Sequence, residues 1–137
     1  MSAALAVQKA LRARLVGTNS VLTLVPAANI LDRNARPNPV PSIIIGEDQE
    51  VDEGDIARRN VRVFSTLHVW VKESGTTGAK AIAGAIRIAV RGTNFVPVDG
   101  FHFADCRVSS TRFMRDPDGE TAHGVVTIET LVHEVRS

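Results

Sequence analysis

Cysteine is almost missing from this sequence: Cys106 is the only one in 137 residues. A lone thiol cannot close an internal bridge, which excludes a disulfide-stapled scaffold and fits assembly in a reducing cytoplasm. Net charge is nearly missing too. Sixteen Lys and Arg stand against fifteen Asp and Glu, so bulk electrostatics gives no attraction to nucleic acid or to a membrane surface. There is no apolar run near the length of about 20 residues that spans a bilayer. Lys9, Arg12 and Arg14 interrupt the only N-terminal apolar stretch before it reaches secretory length, so no signal peptide is expected. No repeat of the kind that marks a solenoid is present. The expectation is one soluble domain. A chain of this size buries roughly two-thirds of the surface its unfolded form exposes and needs no metal to stabilise a core.

What the sequence does contain is patterned. Ser2 can cap a helix over Ala3 to Val16, where Ala4, Val7, Leu11 and Leu15 recur at helical spacing and Gly17 occupies a left-handed stop position. Asn19 or Ser20 can cap a short second turn through Val21, Leu22 and Leu24, ended by Pro26. Three prolines alternate in Arg36 to Pro41, which forbids a helix and predicts an extended connection across 26–41. From Ser42 the chain becomes β-rich, beginning with the β-branched run Ile43, Ile44 and Ile45.

The run Val61 to Lys72 alternates. Val61, Val63, Leu67, Val69 and Val71 belong to one face, and Arg62, Phe64, Thr66, His68, Trp70 and Lys72 to the other. The second face mixes aromatic and charged groups, which suits a surface covered by a partner. Ser74 to Gly78 offers hydroxyls as caps for a helix over Ala79 to Arg91. Ala79, Ile82, Ala83, Ile86, Ala89 and Val90 form its apolar face, Lys80, Arg87 and Arg91 its outer stripe, and Gly92 its stop. Strands over Phe101 to Arg115 and Thr121 to Glu134 flank Asp116-Pro117-Asp118-Gly119, a type I turn with a glycine bulge. The order α, β, β, α, β, β predicts a single α+β domain with a mainly antiparallel sheet and two principal helices.

The strongest charge feature is Glu47, Asp48, Glu50, Asp52, Glu53 and Asp55, followed at once by Arg58, Arg59 and Arg62. Mutually repelling carboxylates are poor core material. They predict an exposed strand end and a mobile acidic loop across 47–60, with Gly54 near its tip. An acid–base pair needs two environments that separate its pKa values, and a solvated run has one. No Gly-x-Ser-x-Gly elbow occurs, and Lys80 beside Gly75 and Gly78 lacks phosphate-loop spacing. His68, His102, His123 and His133 show no metal-ligand spacing with each other or with Cys106. Asp116 and Asp118 are explained by turn chemistry, since Pro117 separates them and the later ligands of a calcium loop are missing. An enzyme would need a site built from His68, His123 and Asp116 that nothing in the pattern supports. No catalytic residue, cofactor or metal is expected. DNA binding has only a basic helix face behind it, with Phe64 and Trp70 the sole aromatics available for stacking.

Several segments together resemble one family. They are the helical opening Ala3 to Leu11, Ile45-Gly46-Glu47-Asp48, Leu67-His68-Val69-Trp70, Ala79-Lys80-Ala81-Ile82 and the run Met114 to Val125 around the Asp-Pro-Asp-Gly turn. The chain is similar to the tail-completion, or tail terminator, proteins of long-tailed phages and gene transfer agents. That resemblance implies a structural virion subunit, assembled in the bacterial cytoplasm, that forms a homo-oligomeric ring, expected to be a hexamer. Such a ring caps the finished tail tube and meets a head-side stopper, while DNA passes through without specific binding. A stopper or adaptor of the neck is the neighbouring alternative, and a DNA-binding accessory domain a more distant one. A closed ring needs two complementary surfaces per subunit. The expected pair is the acidic cluster against Arg58, Arg59 and Arg62 or the basic helix stripe, with Phe64, His68 and Trp70 as an apolar anchor; alternatively the acidic cluster lines the bore, where like charge keeps phosphates from adhering.

Overall fold

The computed structural model describes residues 2–32, 39–54, 56, 59–91 and 95–135. Helix α1 spans Ala3–Val16, and the Ser2 side chain accepts from the Leu5 amide as expected of a cap. Gly17 does not take the left-handed conformation; its φ is −95°. Its value there is lack of bulk, because a Cβ would lie 3.1 Å from the Ala13 carbonyl oxygen. The chain turns straight into a second short helix, α2, over Asn19–Leu22, and the residue preceding it is Thr18 rather than Asn19 or Ser20.

Between α2 and the main sheet the connection is more structured than an extended proline segment. Ala27–Asn29 forms a 3-10 turn, and Ile30–Leu31 forms a two-residue strand, β1. Strand β1 runs parallel to the next strand, with Ile30 beside Ile43 and Leu31 beside Ile44. A single apolar dipeptide carries no alternation to reveal it. Ile30 is fully buried, and that burial fixes the contact. The first part of the proline run falls in 33–38, and the helix stop expected at Gly92 falls in 92–94; both lie outside the described residues.

Three further long strands and one helix follow β2, Ser42–Asp52: β3 is Asn60–Lys72, α3 is Thr77–Val90, β4 is Phe101–Arg115 and β5 is Thr121–Glu134. The sheet order is β1-β2-β3-β5-β4, antiparallel except for β1. Helix α3 begins on a carboxylate instead of a hydroxyl. Glu73 accepts from the Gly78 amide at 2.9 Å and the Ala79 amide at 3.0 Å, a favourable place for negative charge beside unsatisfied N–H groups. At the β4–β5 turn, Gly119 takes φ +74° and donates to the Asp116 carbonyl at 3.0 Å, while Asp118 accepts from the amides of Glu120 and Thr121.

The core lies between the helices and one face of the sheet. It joins Val7, Leu11 and Leu15 of α1, Ile82 and Ile86 of α3, Val63, Leu67 and Val69 of β3, and Val126, Ile128 and Val132 of β5. The period-two alternation of β3 and β5 is followed residue by residue, with each buried position next to a half-buried one. Among the described residues, no helix covers the opposite face.

Candidate interaction surface

That second face is built by the pleat. Register puts Phe64 of β3 beside Glu129 of β5, Thr66 beside Thr127, His68 beside Val125 and Trp70 beside His123. Strand β4 adds Arg107 opposite Glu129, Arg112 opposite Val125 and Met114 opposite His123. Strand β2 adds Ile44 opposite His68 and Gln49 opposite Phe64. Most of these side chains are neither fully buried nor fully solvated, the mixed surface that β3's alternation announced.

Two polar clusters organise the face. In the first, Glu129 is held between two guanidinium groups. Arg62 donates to one of its oxygens at 2.9 Å and Arg107 to the other at 2.7 Å. Arg62 also donates to Glu53 at 2.6 Å, and this bond holds the Glu53 carboxyl below its ordinary range. In the second, His68 lies between Glu47 and His123. Its Nε2 is 2.7 Å from Glu47 Oε1 and its Nδ1 is 2.9 Å from His123 Nε2. The His123 ring stacks on Trp70 at 3.9 Å with 7° between the planes. The hydrogen bond from His68 lowers the Glu47 pKa. Burial first, and then the neighbouring His68, lower that of His123. Gly46 makes the room, since a Cβ there would sit 2.8 Å from His68 Cδ2.

The acidic segment is a strand for longer than expected. Pairing continues from Asp48 opposite Ser65 through Asp52 opposite Val61. The pleat relieves repulsion by sending neighbouring carboxylates to opposite sides. Glu47 goes to His68 and Glu53 to Arg62. Glu50, on the helix side, accepts from the Ala4 amide in the first turn of α1 at 2.8 Å. Asp48 and Asp52 share that side and are exposed. Gly54 has φ +79° just beyond the strand. Asp55 and Arg58 lie outside the described residues. Arg59 is exposed, and its carbonyl accepts from the Glu134 amide.

Of the twelve residues singled out from the sequence, the structure gathers Glu47, Glu53, Arg62, Phe64, His68 and Trp70 on or beside one sheet face, and separates Asp48, Glu50 and Asp52 from them. It adds His123, Glu129 and Arg107, which strand alternation alone could not pair with β3. Arg62 is already committed to two carboxylates of its own chain. Lys80, Arg87 and Arg91 on α3 remain exposed.

Among the described residues, no group of three or more His, Cys, Asp or Glu is arranged to hold a metal ion. Cys106 accepts a hydrogen bond from Thr130 Oγ1, and burial pushes its thiol pKa up, the reverse of nucleophile activation. A groove of about 420 Å3 between α1 and residues 95–98 has its cations engaged: Lys9 pairs with Asp99, and Arg14 donates to the Ala89 carbonyl and stacks over Phe95. No described helix is long and apolar enough to cross a membrane.

Residues 9–133 match the family model described as tail completion protein gp17. A chain in the virion of a native gene transfer agent particle superposes with a TM-score of 0.83 at 19% identity, covering 97% of this chain and 99% of that one. The structure of the bacteriophage SPP1 gp17 protein gives a TM-score of 0.65 at 20% identity, covering 98% and 94%. No curated protein sequence matches the chain.

Proposed function

This chain belongs to the tail completion protein gp17 family, and from that premise we propose that it ends the finished tail tube as a six-membered ring. The ring sits on the last layer of tube protein, presents its other side to a head-side stopper, and lets DNA pass without specific binding. The chain is a tail completion protein of the kind found in phage or gene-transfer-agent particles. The observation that carries the ring is the sheet face that no described helix covers, where aromatic, imidazole and guanidinium groups are half-buried instead of solvated. Partly desolvated aromatics and arginines are the usual anchors of protein interfaces.

Head-to-tail contacts in a ring join two different surfaces of each subunit. With Arg62 engaged internally, the exposed α3 stripe of Lys80, Arg87 and Arg91 offers cations to a neighbour. The complementary partner is the helix-side acidic strip of β2, Asp48 and Asp52, which sets register electrostatically. The particle supplies the stage for both contacts: localisation is the tail neck, after assembly in the bacterial cytoplasm. No reaction is assigned to the protein.

Subunit-resolution imaging of the particle neck tests this directly. The expected result is six copies between tube and head. Copies placed at another level of the stack would move the assignment to a stopper or adaptor, and particles lacking the chain would remove it. The α3 stripe also allows a DNA-binding reading, which requires affinity that falls steeply with salt; the ring reading expects little binding by the isolated protein.

A further inference from the structure

Two imidazole nitrogens 2.9 Å apart can share one hydrogen and no more. With both rings neutral, His68 Nε2–H donates to Glu47, and His68 Nδ1 accepts from His123 Nε2–H. With one added proton, His68 donates from both nitrogens, and His123 Nε2 becomes the acceptor. Both arrangements place one hydrogen in each of the two contacts, Glu47–His68 and His68–His123. A second added proton places N–H against N–H and two like charges at hydrogen-bond distance, so the contact must open.

We propose that His68 and His123 form a proton-operated latch between β3 and β5, closed while the pair carries at most one positive charge and opened when both rings are protonated. Opening lifts His123 from Trp70 and puts a second positive charge on the uncovered sheet face, so the surface presents different charge and shape in acid than at neutral pH. The surroundings are consistent with that behaviour. Glu47 on β2 favours positive charge on His123. Arg112 on β4 and the burial of His123 oppose it, and Asp116 at the β4–β5 turn partly offsets them. Lys72, on the same face of β3, adds a further cation near the hairpin end. The lowered pKa of His123 sets the direction: the second proton arrives below the ordinary histidine value of 6.5. The inference does not depend on the ring or on the particle.

Trp70 is the only tryptophan and the chain has no tyrosine, so intrinsic emission reports on this stack alone. Titrating the intact protein from about pH 8 to about pH 4.5 should give one emission transition with its midpoint below 6.5. His123→Gln should abolish it. His68→Gln should move the midpoint upward, toward 6.5, because the neighbouring charge is gone. A midpoint at the ordinary value that stays put in His68→Gln overturns the latch. Should that variant fail to fold, ring-proton NMR of the unaltered chain decides. Coupled imidazoles titrate in two steps more than about one pH unit apart, whereas two independent steps at the ordinary value overturn the proposal.

Discussion

The two faces of the one sheet are made by alternate residues of the same strands, and they obey different rules. On the helix side of β3, Val63, Leu67 and Val69 are fully buried. On the other, Arg62, Phe64, Thr66, His68 and Trp70 are half-exposed, and Arg62 and His68 are paired with polar side chains of the same chain. The first face holds the domain together by removing apolar surface from water. The second is kept organised without being sealed. Such a division lets a small subunit fold alone and still hold back a surface for something else.

The sharpest way to break the contrast is to move a substitution by one residue. Leu67→Ala on the covered face should cost about 2–5 kcal/mol of folding stability, read by chemical denaturation. A loss under about 1 kcal/mol would mean that this face is not the core. Gly46→Ala comes next. Its Cβ would meet the His68 ring at 2.8 Å, so about 1–3 kcal/mol should be lost through overpacking, together with the Glu47–His68 contact in NMR spectra. An unchanged contact would show that the ring has somewhere else to go. Thr127→Arg, in the middle of the open face opposite Thr66, should change stability least, within about 0.5 kcal/mol, yet stop the variant from entering particles. Normal incorporation would take the open face out of the interface.

Acid should separate the faces as well. The pKa of His123 is lowered in the folded protein, so its contribution is present above 6.5 and is lost as pH falls toward the folded value. Glu47, also lowered, follows the same sign from 4.5 downward. Both groups sit on the open side. A melting temperature that falls as pH drops below 6.5, and falls less in His123→Gln, would place the sensitivity there; equal slopes would place it elsewhere.

Much of the scaffold was readable because each element carries its own local cause. The Asp-Pro-Asp-Gly turn located the ends of β4 and β5, and period-two alternation divided β3 between core and surface. What escaped depended on which strands become neighbours. His68 and His123 are 55 positions apart, and Glu50 and Ala4 are 46 apart; alternation says which face a residue takes but not what lies across from it. How far the strand continues into the acidic run, to Asp52, is hidden because composition averages over a pleat that parts adjacent carboxylates. Of the two carboxylates that engage Arg62, Glu129 is 67 positions away on β5, a pairing that local pattern does not reveal.

The margins of the sheet have a bearing on how separate copies behave. β1 accompanies only Ile43 and Ile44, so among the described residues the rest of β2 has no strand on that side, and this stretch carries Glu47, Asp48, Glu50 and Asp52. At the far margin, the register of β4 slips twice, once between Phe103 and Asp105 and once between Val108 and Ser110. Negative charge on one border and irregular pleating on the other both discourage a stray strand from adding on. Free copies of the chain are therefore expected to stay apart in solution rather than add edge to edge.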